Sequence, residues 1–331
     1  MKKKVTVLSP CYNVENYVHR LIESVISQDY LPLELILVND GSTDNTESVI
    51  LSYKRKLAEI GIEFKYIYKE NGGQASAIAL GLKEVTGDYL IWPDADDFLL
   101  KDSIRKRVDF LQKNPQFAWV RSNGYNYSED LEIINIVDKK KKNLSLYKFD
   151  DFIDFKILWP PISYMIDMHK FDKANPERKI FDSKCGQNIQ MMFPIAYLYE
   201  CPFLNENLFG YLIRENSHSR SMRSLEDDIK HIDNLELTVK ETVKMIEKTN
   251  NVNLKNYILR SENFFSYRRF YSSWVKGDRK KIQVYYDILK SKKALNLSIF
   301  LMKNFKFSKF MTFVIRVCDK FFKLTDFRKA C

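Results

Sequence analysis

The sequence predicts an α/β fold: a doubly wound, mostly parallel sheet flanked by helices, with a C-terminal helical appendage. Three observations lead there. Short apolar runs alternate with helical stretches four times in roughly the first ninety residues, the rhythm of right-handed βαβ units. Polar and acidic residues stand directly after those runs, at the carboxyl ends of the expected strands, where such sheets bind ligands. Gly and Pro are scarce, 10 and 9 in 331 residues, which argues against sandwich, barrel or collagen-like architectures.

Val5–Leu8 reads as the first buried strand, ended by Ser9-Pro10, and a helix over Val14–Ser27 follows with Asn13 as its N-cap. Leu33–Val38 is the second strand, and the polar run Asn39 to Thr46 leads into a helix ending near Ile60. Phe64–Tyr68 is the third strand, Asn71-Gly72-Gly73-Gln74 a turn, and Ala75–Val85 a helix with Ile78 and Ala79 in the core. Tyr89–Trp92, after the turn signal Thr86-Gly87-Asp88, has the continuous apolar character of a strand buried on both faces.

Three carboxylates follow that strand almost at once: Asp94, Asp96 and Asp97. Like charges gathered where hydration is poor are costly unless a cation compensates them. Asp94 and Asp96, one residue apart at a strand end, can reach one divalent cation and leave positions open for phosphate oxygens. The competing account is a solvated acidic loop, with Asp102 capping a helix over Ser103–Leu111. Neither G-x-G-x-x-G after the first strand nor G-x-x-x-x-G-K-[ST] anywhere is present, so a dinucleotide oxidoreductase and a P-loop ATPase are unsupported.

Beyond Asn114-Pro115, strands are expected at Phe117–Val120, in the Asn123–Ile136 region and at Ile162–Met168. Lys139–Lys142 reads as a solvated loop, and Tyr147–Leu158 as an amphipathic helix stopped by Trp159-Pro160-Pro161. From Ser224, a capping-box-like start opens a long helix, and two more helical stretches, near 254–275 and 280–291, are dense in Tyr, Phe and Arg. Those aromatics are expected as the mutual core of the appendage. No RNA-binding motif accompanies them, so nucleic acid is not an expected partner.

Five cysteines, Cys11, Cys185, Cys201, Cys318 and Cys331, are scattered without a CxxC, which implies neither a zinc site nor a disulfide framework. The N-terminus MKKKVTVLSP enters a strand rather than an apolar h-region, so no signal peptide is expected. Of the net charge of +10, residues 291–331 hold +8, from ten Lys or Arg against two Asp. From Phe305 onward, Lys306, Lys309, Arg316, Lys320 and Lys323 fall on one helical face and Phe310, Phe313, Val317 and Phe321 on the other. That pattern suits a helix lying on an anionic leaflet, or a helix packed on a partner.

The blocks SPCYN, VNDGSTDNT, NGGQASA and GDYLIWPDADD, in this order and spacing, resemble family 2 glycosyltransferases of the bacterial cell-surface polysaccharide type, which have the GT-A fold. The resemblance is strong over residues 4–100 and weaker over 100–220. It implies a metal-assisted, inverting transfer from a nucleotide-diphosphate sugar, with UDP the expected nucleotide and Mg²⁺ or Mn²⁺ the cofactor. Carried over by position, Pro10, Tyr12 and Glu15 would line the nucleobase pocket and Asp40 would accept from the base. Asp94 would contact ribose and metal, and Asp96 would ligate the metal. In the segment Arg214 to Arg223, His218 would complete the metal shell and Arg220 would meet the phosphates.

The resemblance also implies a domain of residues 1–223, with a nucleotide-sugar half (1–125) and an acceptor half (126–223), before a helical region (224–291) and a basic tail (292–331). The family's general base sits in a Gly-Glu-Asp block, where this chain has Gly186-Gln187-Asn188. An amide has no protonation change near neutrality and cannot act as that base. Asp182 is the nearby carboxylate offered as a substitute; the alternative is an ordinary exposed loop residue. The expectation is therefore a transferase acting on a glycan or lipid-linked acceptor, cytoplasmic and peripheral on the inner membrane face through 305–324, as a homo- or hetero-oligomer if not alone. The alternative is a catalytically silent nucleotide-sugar-binding partner of another transferase.

Overall fold

A computed structural model of the chain describes residues 2–138, 143–157, 160–183, 185–214 and 224–305. It divides into two compact units, Met1–Phe149 with Trp159–Arg220, and Asp150–Leu158 with Ser221–Cys331. Lys139–Lys142 and the tail beyond Phe305 lie outside the described residues.

The first unit runs β1 (Val5–Cys11), α1 (Val18–Ile26), β2 (Leu33–Asp40), α2 (Thr46–Ser52), α3 (Lys54–Ile60), β3 (Glu63–Lys69), α4 (Gln74–Glu84) and β4 (Tyr89–Ile91). It continues with β5 (Phe98–Leu99), α5 (Ser103–Lys113), β6 (Trp119–Tyr127), β7 (Ile133–Ile136) and β8 (Leu146–Tyr147). Past α6 (Phe149–Ile153), which from Asp150 onward belongs to the second unit, come β9 (Tyr164–Asp167), α7 (Met168–Ala174), α8 (Gln187–Leu198) and β10 (Cys201–Leu212). The strand order is β3-β2-β1-β4-β9-β6-β10-β5, with β7 on β6 and β8 on β10.

Strands β3, β2, β1 and β4 are parallel, as the alternation predicts, with Cys11 opposite Asn39 and Asp40 opposite Lys69. Strand β9 runs antiparallel between β4 and β6, so the far half of the sheet is mixed. The period-2 alternation of strands sorts side chains between two layers. Val5, Val7, Leu33, Leu35 and Leu37 share one buried cluster with Val18, Leu21, Ile22 and Val25 of α1. On the other face Leu8 and Val38 meet α4 at Gly81, where an added Cβ would lie 2.3 Å from Leu8 Cδ1. Each such aliphatic side chain taken fully out of water contributes roughly 1.5–3 kcal/mol.

Several element boundaries differ from the sequence expectation, each for a local reason. The first helix starts at Val18 rather than Val14, because Asn13 is left-handed (φ 50°) and its Oδ1 accepts from Thr43 N at 2.9 Å instead of capping. The stretch to Ile60 is two helices meeting at Tyr53. Asp102 stands at the cap position of α5 but is left-handed (φ 63°) and makes no cap hydrogen bond; it pairs with Arg105 at 3.2 Å. The helix expected over Tyr147–Leu158 is α6 alone, with Tyr147 spent on β8 and Phe155 at φ 53° beyond the helix. The strand expected to reach Met168 stops at Asp167, whose carboxylate caps α7 by accepting from Lys170 N.

The second unit contains α9 (Leu225–Asn250), α10 (Lys255–Lys276), α11 (Arg279–Ser291) and α12 (Leu297–Asn304). Ser224 caps α9, its Oγ accepting from Asp227 N at 3.1 Å. Tyr267, Phe270, Trp274, Ile282, Leu289, Ile299 and Met302 form one buried cluster, so these aromatics are core. No helix among the described residues is long and apolar enough to cross a membrane.

Candidate functional site

Parallel strands point their carboxyl ends the same way, which brings the residues after β1, β2 and β4 toward one edge of the sheet. Near the end of β1, Pro10 is half-buried, and just beyond the strand Tyr12 is 42% exposed. Glu15 accepts at Oε2 from both Asn45 N and Asn45 Nδ2, each at 2.8 Å, so it ties the β1 loop to the β2 loop. At the end of β2, Asp40 is 3% exposed. Its Oδ1 accepts from Lys69 Nζ at 2.6 Å and Gly72 N at 3.0 Å, and its Oδ2 from Gly73 N at 2.8 Å. Asp40 thus anchors the glycine turn, leaving one Oδ2 lone pair for a further donor.

The next residue of that turn, Gln74, donates from Nε2 to Asp94 Oδ1 at 2.5 Å. Asp94 lies in the loop that follows β4, and burial, with the nearby Asp96 charge, pushes its carboxyl up to about 7. Burial raises the Asp96 carboxyl as well, while the Arg214 guanidinium pulls the other way. Arg214 Nη2 pairs with Asp96 Oδ2 at 2.7 Å, and its guanidinium lies 4.8 Å from the centre of the Tyr17 ring. Asp97 is fully buried. Its Oδ1 accepts from Leu212 N at 3.1 Å, fastening the end of β10 to the acidic loop two residues before Arg214. Burial first, then Asp96 and Asp94, push the Asp97 carboxyl well above the usual range, and its Oδ2 has no partner among the described residues.

This cluster fits a hard divalent cation. Its donors are oxygens, burial strains both Asp94 and Asp96 toward protonation, the Asp96 charge adds to the strain on Asp94, and a cation would relieve both. Among the described residues no group of three or more His, Cys, Asp or Glu side chains is arranged around one ion position. Asp94 and Asp96 would therefore hold such an ion together with ligand oxygens.

The amides expected near the reacting centre are partly placed. Asn188, in the first turn of α8, accepts at Oδ1 from Trp92 Nε1 at 3.1 Å, which brings it beside the strand that carries the acidic loop. Gln187 opens α8 and is 9% exposed. Asp182 is exposed in the preceding loop, which Gln190 holds through Phe181 and Ser183 instead. His218 and Arg220 lie outside the described residues. Gln74, Lys69 and Arg214 are the contributors that sequence reasoning did not single out. Arg214 had a signal, as the first residue of the basic run that follows the last strand.

Residues 6–166 match the model for glycosyl transferase family 2. Over those residues the chain belongs to that family. An uncharacterized glycosyltransferase of Rickettsia conorii is 30% identical over 253 residues, covering 73% of this chain and 40% of that protein. Glycosyltransferase GlyA of Streptococcus pneumoniae is 28% identical over 235 residues, covering 66% of this chain and 32% of that protein. The chain thus spans between a third and two fifths of these relatives' length. Staphylococcus aureus TarS 1–349, solved in complex with UDP-GlcNAc, superposes with a TM-score of 0.59 at 17% identity, covering 91% of this chain and 90% of that one. Mannosyltransferase PcManGT of Pyrobaculum calidifontis, solved with GDP-Man and Mn²⁺, gives 0.54 at 14% identity, covering 99% and 83%. The fold of this family 2 chain is the GT-A architecture those enzymes share.

Proposed function

We propose that the chain is a glycosyltransferase that moves a sugar, with inversion, from a nucleotide-diphosphate donor to a glycan or lipid-linked acceptor. The observation that carries this reading is the pair Asp94 and Asp96 in the loop after β4, desolvated and mutually repelling, beside Asp40 at the end of β2. UDP is the preferred nucleotide of the proposal; the UDP-GlcNAc complex of TarS and the GDP-Man complex of PcManGT make both nucleotides worth testing.

In this reading Tyr12, with its exposed ring, and Pro10 flank the nucleobase, and the remaining Oδ2 lone pair of Asp40 accepts from it. Glu15 acts by holding the β1 and β2 loops together around that pocket. Asp94 and Asp96 hold Mg²⁺ or Mn²⁺, which when bound would neutralise the diphosphate as leaving group. Gln74 fixes the orientation of the Asp94 carboxylate, and Asp97 holds the end of β10 against the acidic loop. Asn188, its Oδ1 occupied by Trp92, keeps its amide NH₂ as a hydrogen-bond donor that can orient an acceptor oxygen. Asp182 is the carboxylate left to test as base, and His218 and Arg220 are proposed to join the metal and phosphates. The basic, Phe-rich stretch 305–324 is proposed to bind the inner membrane face.

The test is release of UDP or GDP from nucleotide sugars in the presence of Mn²⁺, comparing the parent with Asp96→Asn. Release by the parent and its loss in the variant support a metal-dependent donor site. Tight donor binding without release, with acceptors of both classes supplied, would favour a silent binding partner. Binding of no nucleotide sugar would overturn the proposal. For the tail, sedimentation with anionic vesicles before and after removal of residues 306–331 decides; equal binding refutes the membrane assignment.

A further inference from the structure

Asp96, proposed to hold the metal, already carries a cation. Arg214 Nη2 lies 2.7 Å from its Oδ2, and the side chain of Asp96 is only 15% exposed. The guanidinium is poised rather than locked. It rests on the Tyr17 ring at 4.8 Å, and its Nε–H is buried without an acceptor among the described residues. A second guanidinium, that of Arg20, lies 5.8 Å from the centre of the same ring, so Arg214 shares that aromatic contact with a like charge. The Arg214 Nε–H takes no part in a side-on fork with the carboxylate, the arrangement that makes Arg–carboxylate pairs strong. Two features nevertheless keep it in place: Asp97 fastens the end of β10 two residues earlier, and the aromatic face offers a cation–π contact.

Two cations cannot share the same Oδ2 lone pair of a carboxylate only 15% exposed. A divalent ion that takes Oδ2 of Asp96 displaces Arg214, whose freed guanidinium is then available to the donor's diphosphate. A planar fork of N–H donors suits phosphate oxygens. We propose that Arg214 is a built-in counter-ion on Asp96 that the metal must displace and that the donor's diphosphate recruits. In this arrangement metal and nucleotide diphosphate load cooperatively, and neither loads well alone. The proposal rests on the reading of Asp94 and Asp96 as metal ligands. Coupling of this kind is reciprocal: the factor by which nucleotide tightens metal is the factor by which metal tightens nucleotide.

The test is Mn²⁺ binding by the full chain, followed through the EPR signal of free Mn²⁺, with Mn²⁺ alone and with UDP or GDP added. Arg214→Met is expected to bind Mn²⁺ alone about tenfold more tightly than the parent, the size expected when ~1.4 kcal/mol of competing ion pairing is removed. Added nucleoside diphosphate should tighten Mn²⁺ less in that variant than in the parent. Arg214→Lys keeps the charge and should stay near the parent. Damage to the fold would weaken metal binding, so the expected sign separates the proposed role from a structural one. If Arg214→Met does not fold, Tyr17→Leu removes the perch and should tighten Mn²⁺ in the same direction. Equal or weaker Mn²⁺ binding by a folded Arg214→Met overturns the proposal while leaving the metal site standing. Failure of parent and variant alike to bind Mn²⁺, with or without nucleotide, overturns both.

Discussion

Trp92 and Asn188 are joined by a hydrogen bond, indole Nε1–H to amide Oδ1 at 3.1 Å, although 96 residues separate them in the chain. Trp92 is 1% exposed and stacks on Tyr164, which stacks in turn on Trp119. The first turn of α8 is therefore attached to the strand beside the acidic loop through a buried donor. Asn188→Ala leaves that indole N–H without its partner and is expected to cost about 1–3 kcal/mol. Asn188→Asp retains an acceptor oxygen and should cost less. Chemical denaturation of both variants checks the order; a smaller loss in Asn188→Ala than in Asn188→Asp would contradict it.

Glu34 supplies a pH signature. Its side chain is fully buried in β2. It accepts from Thr6 Oγ1 at 2.6 Å, Thr86 N at 3.0 Å and Thr86 Oγ1 at 2.7 Å, with Lys65 Nζ at 3.1 Å. Burial alone would raise the carboxyl, but these donors outweigh it and the net displacement is downward. A folded value below the unfolded one means that Glu34 contributes stability above the unfolded pKa, ~4.3, and loses it as pH falls through the folded value. Glu34→Gln is expected to be about 1–3 kcal/mol less stable than the parent at neutral pH. That gap should shrink in acid below the unfolded pKa. Urea titrations of parent and variant at neutral and acid pH measure it, and a gap independent of pH would refute the assignment.

Gly87 closes the same network. Its N–H donates to Thr6 Oγ1 at 3.0 Å, and an added Cβ would stand 2.5 Å from that oxygen and 2.7 Å from Thr6 N. Backbone cannot retreat as a flexible side-chain end can, so Gly87→Ala is expected to destabilise by about 1–3 kcal/mol. Because Gly87 and Glu34 both act on Thr6, the double variant should lose less than the sum of the singles. Strict additivity in thermal melts would show that the two contacts are independent.

Asp40 is fastened by three donors, so its substitution reaches further than a lost ligand contact. Asp40→Ala frees Lys69 Nζ and two glycine amides; a hydrogen bond to a charged group contributes roughly 1.5–3 kcal/mol, and because Lys69 and the exposed Gly72 regain water the expected loss is about 2–4 kcal/mol rather than the full sum. Lys69→Met keeps the two amide donors and should lose less. Melting temperatures must accompany any donor-binding measurement on these variants. An Asp40→Ala protein as stable as the parent would mean that the turn holds itself.

The parallel half of the sheet is legible in the sequence because its central strands are short, mostly apolar runs closed by polar residues: LELILV, apolar but for Glu34, ended by Asn39-Asp40, and YLIW ended by Pro93-Asp94. The positions of Asp40, Asp94 and Asp96 follow from that punctuation alone. What stayed illegible was long-range. Nothing local distinguishes β9 as antiparallel, since Tyr164–Asp167 has the same composition either way. Asn13 looked like a cap because Asn favours caps, yet its side chain found Thr43 across the loop. Arg214 lies 118 residues from Asp96, and no spacing rule connects a residue after the last strand to a carboxylate after the fourth. Pairings that close only when the sheet is assembled leave no periodicity to read.

The turn at residues 71–74 has an uncommon consequence for how the chain tolerates change in length. Surface connections usually absorb insertions at small cost, since lengthening a loop adds little closure entropy. Here three consecutive residues bridge two strand ends: Gly72 and Gly73 are held by Asp40, and Gln74 reaches Asp94. One extra residue would release one attachment or the other, so this connection behaves as a gauge of fixed span, setting how far apart the acids after β2 and β4 stand.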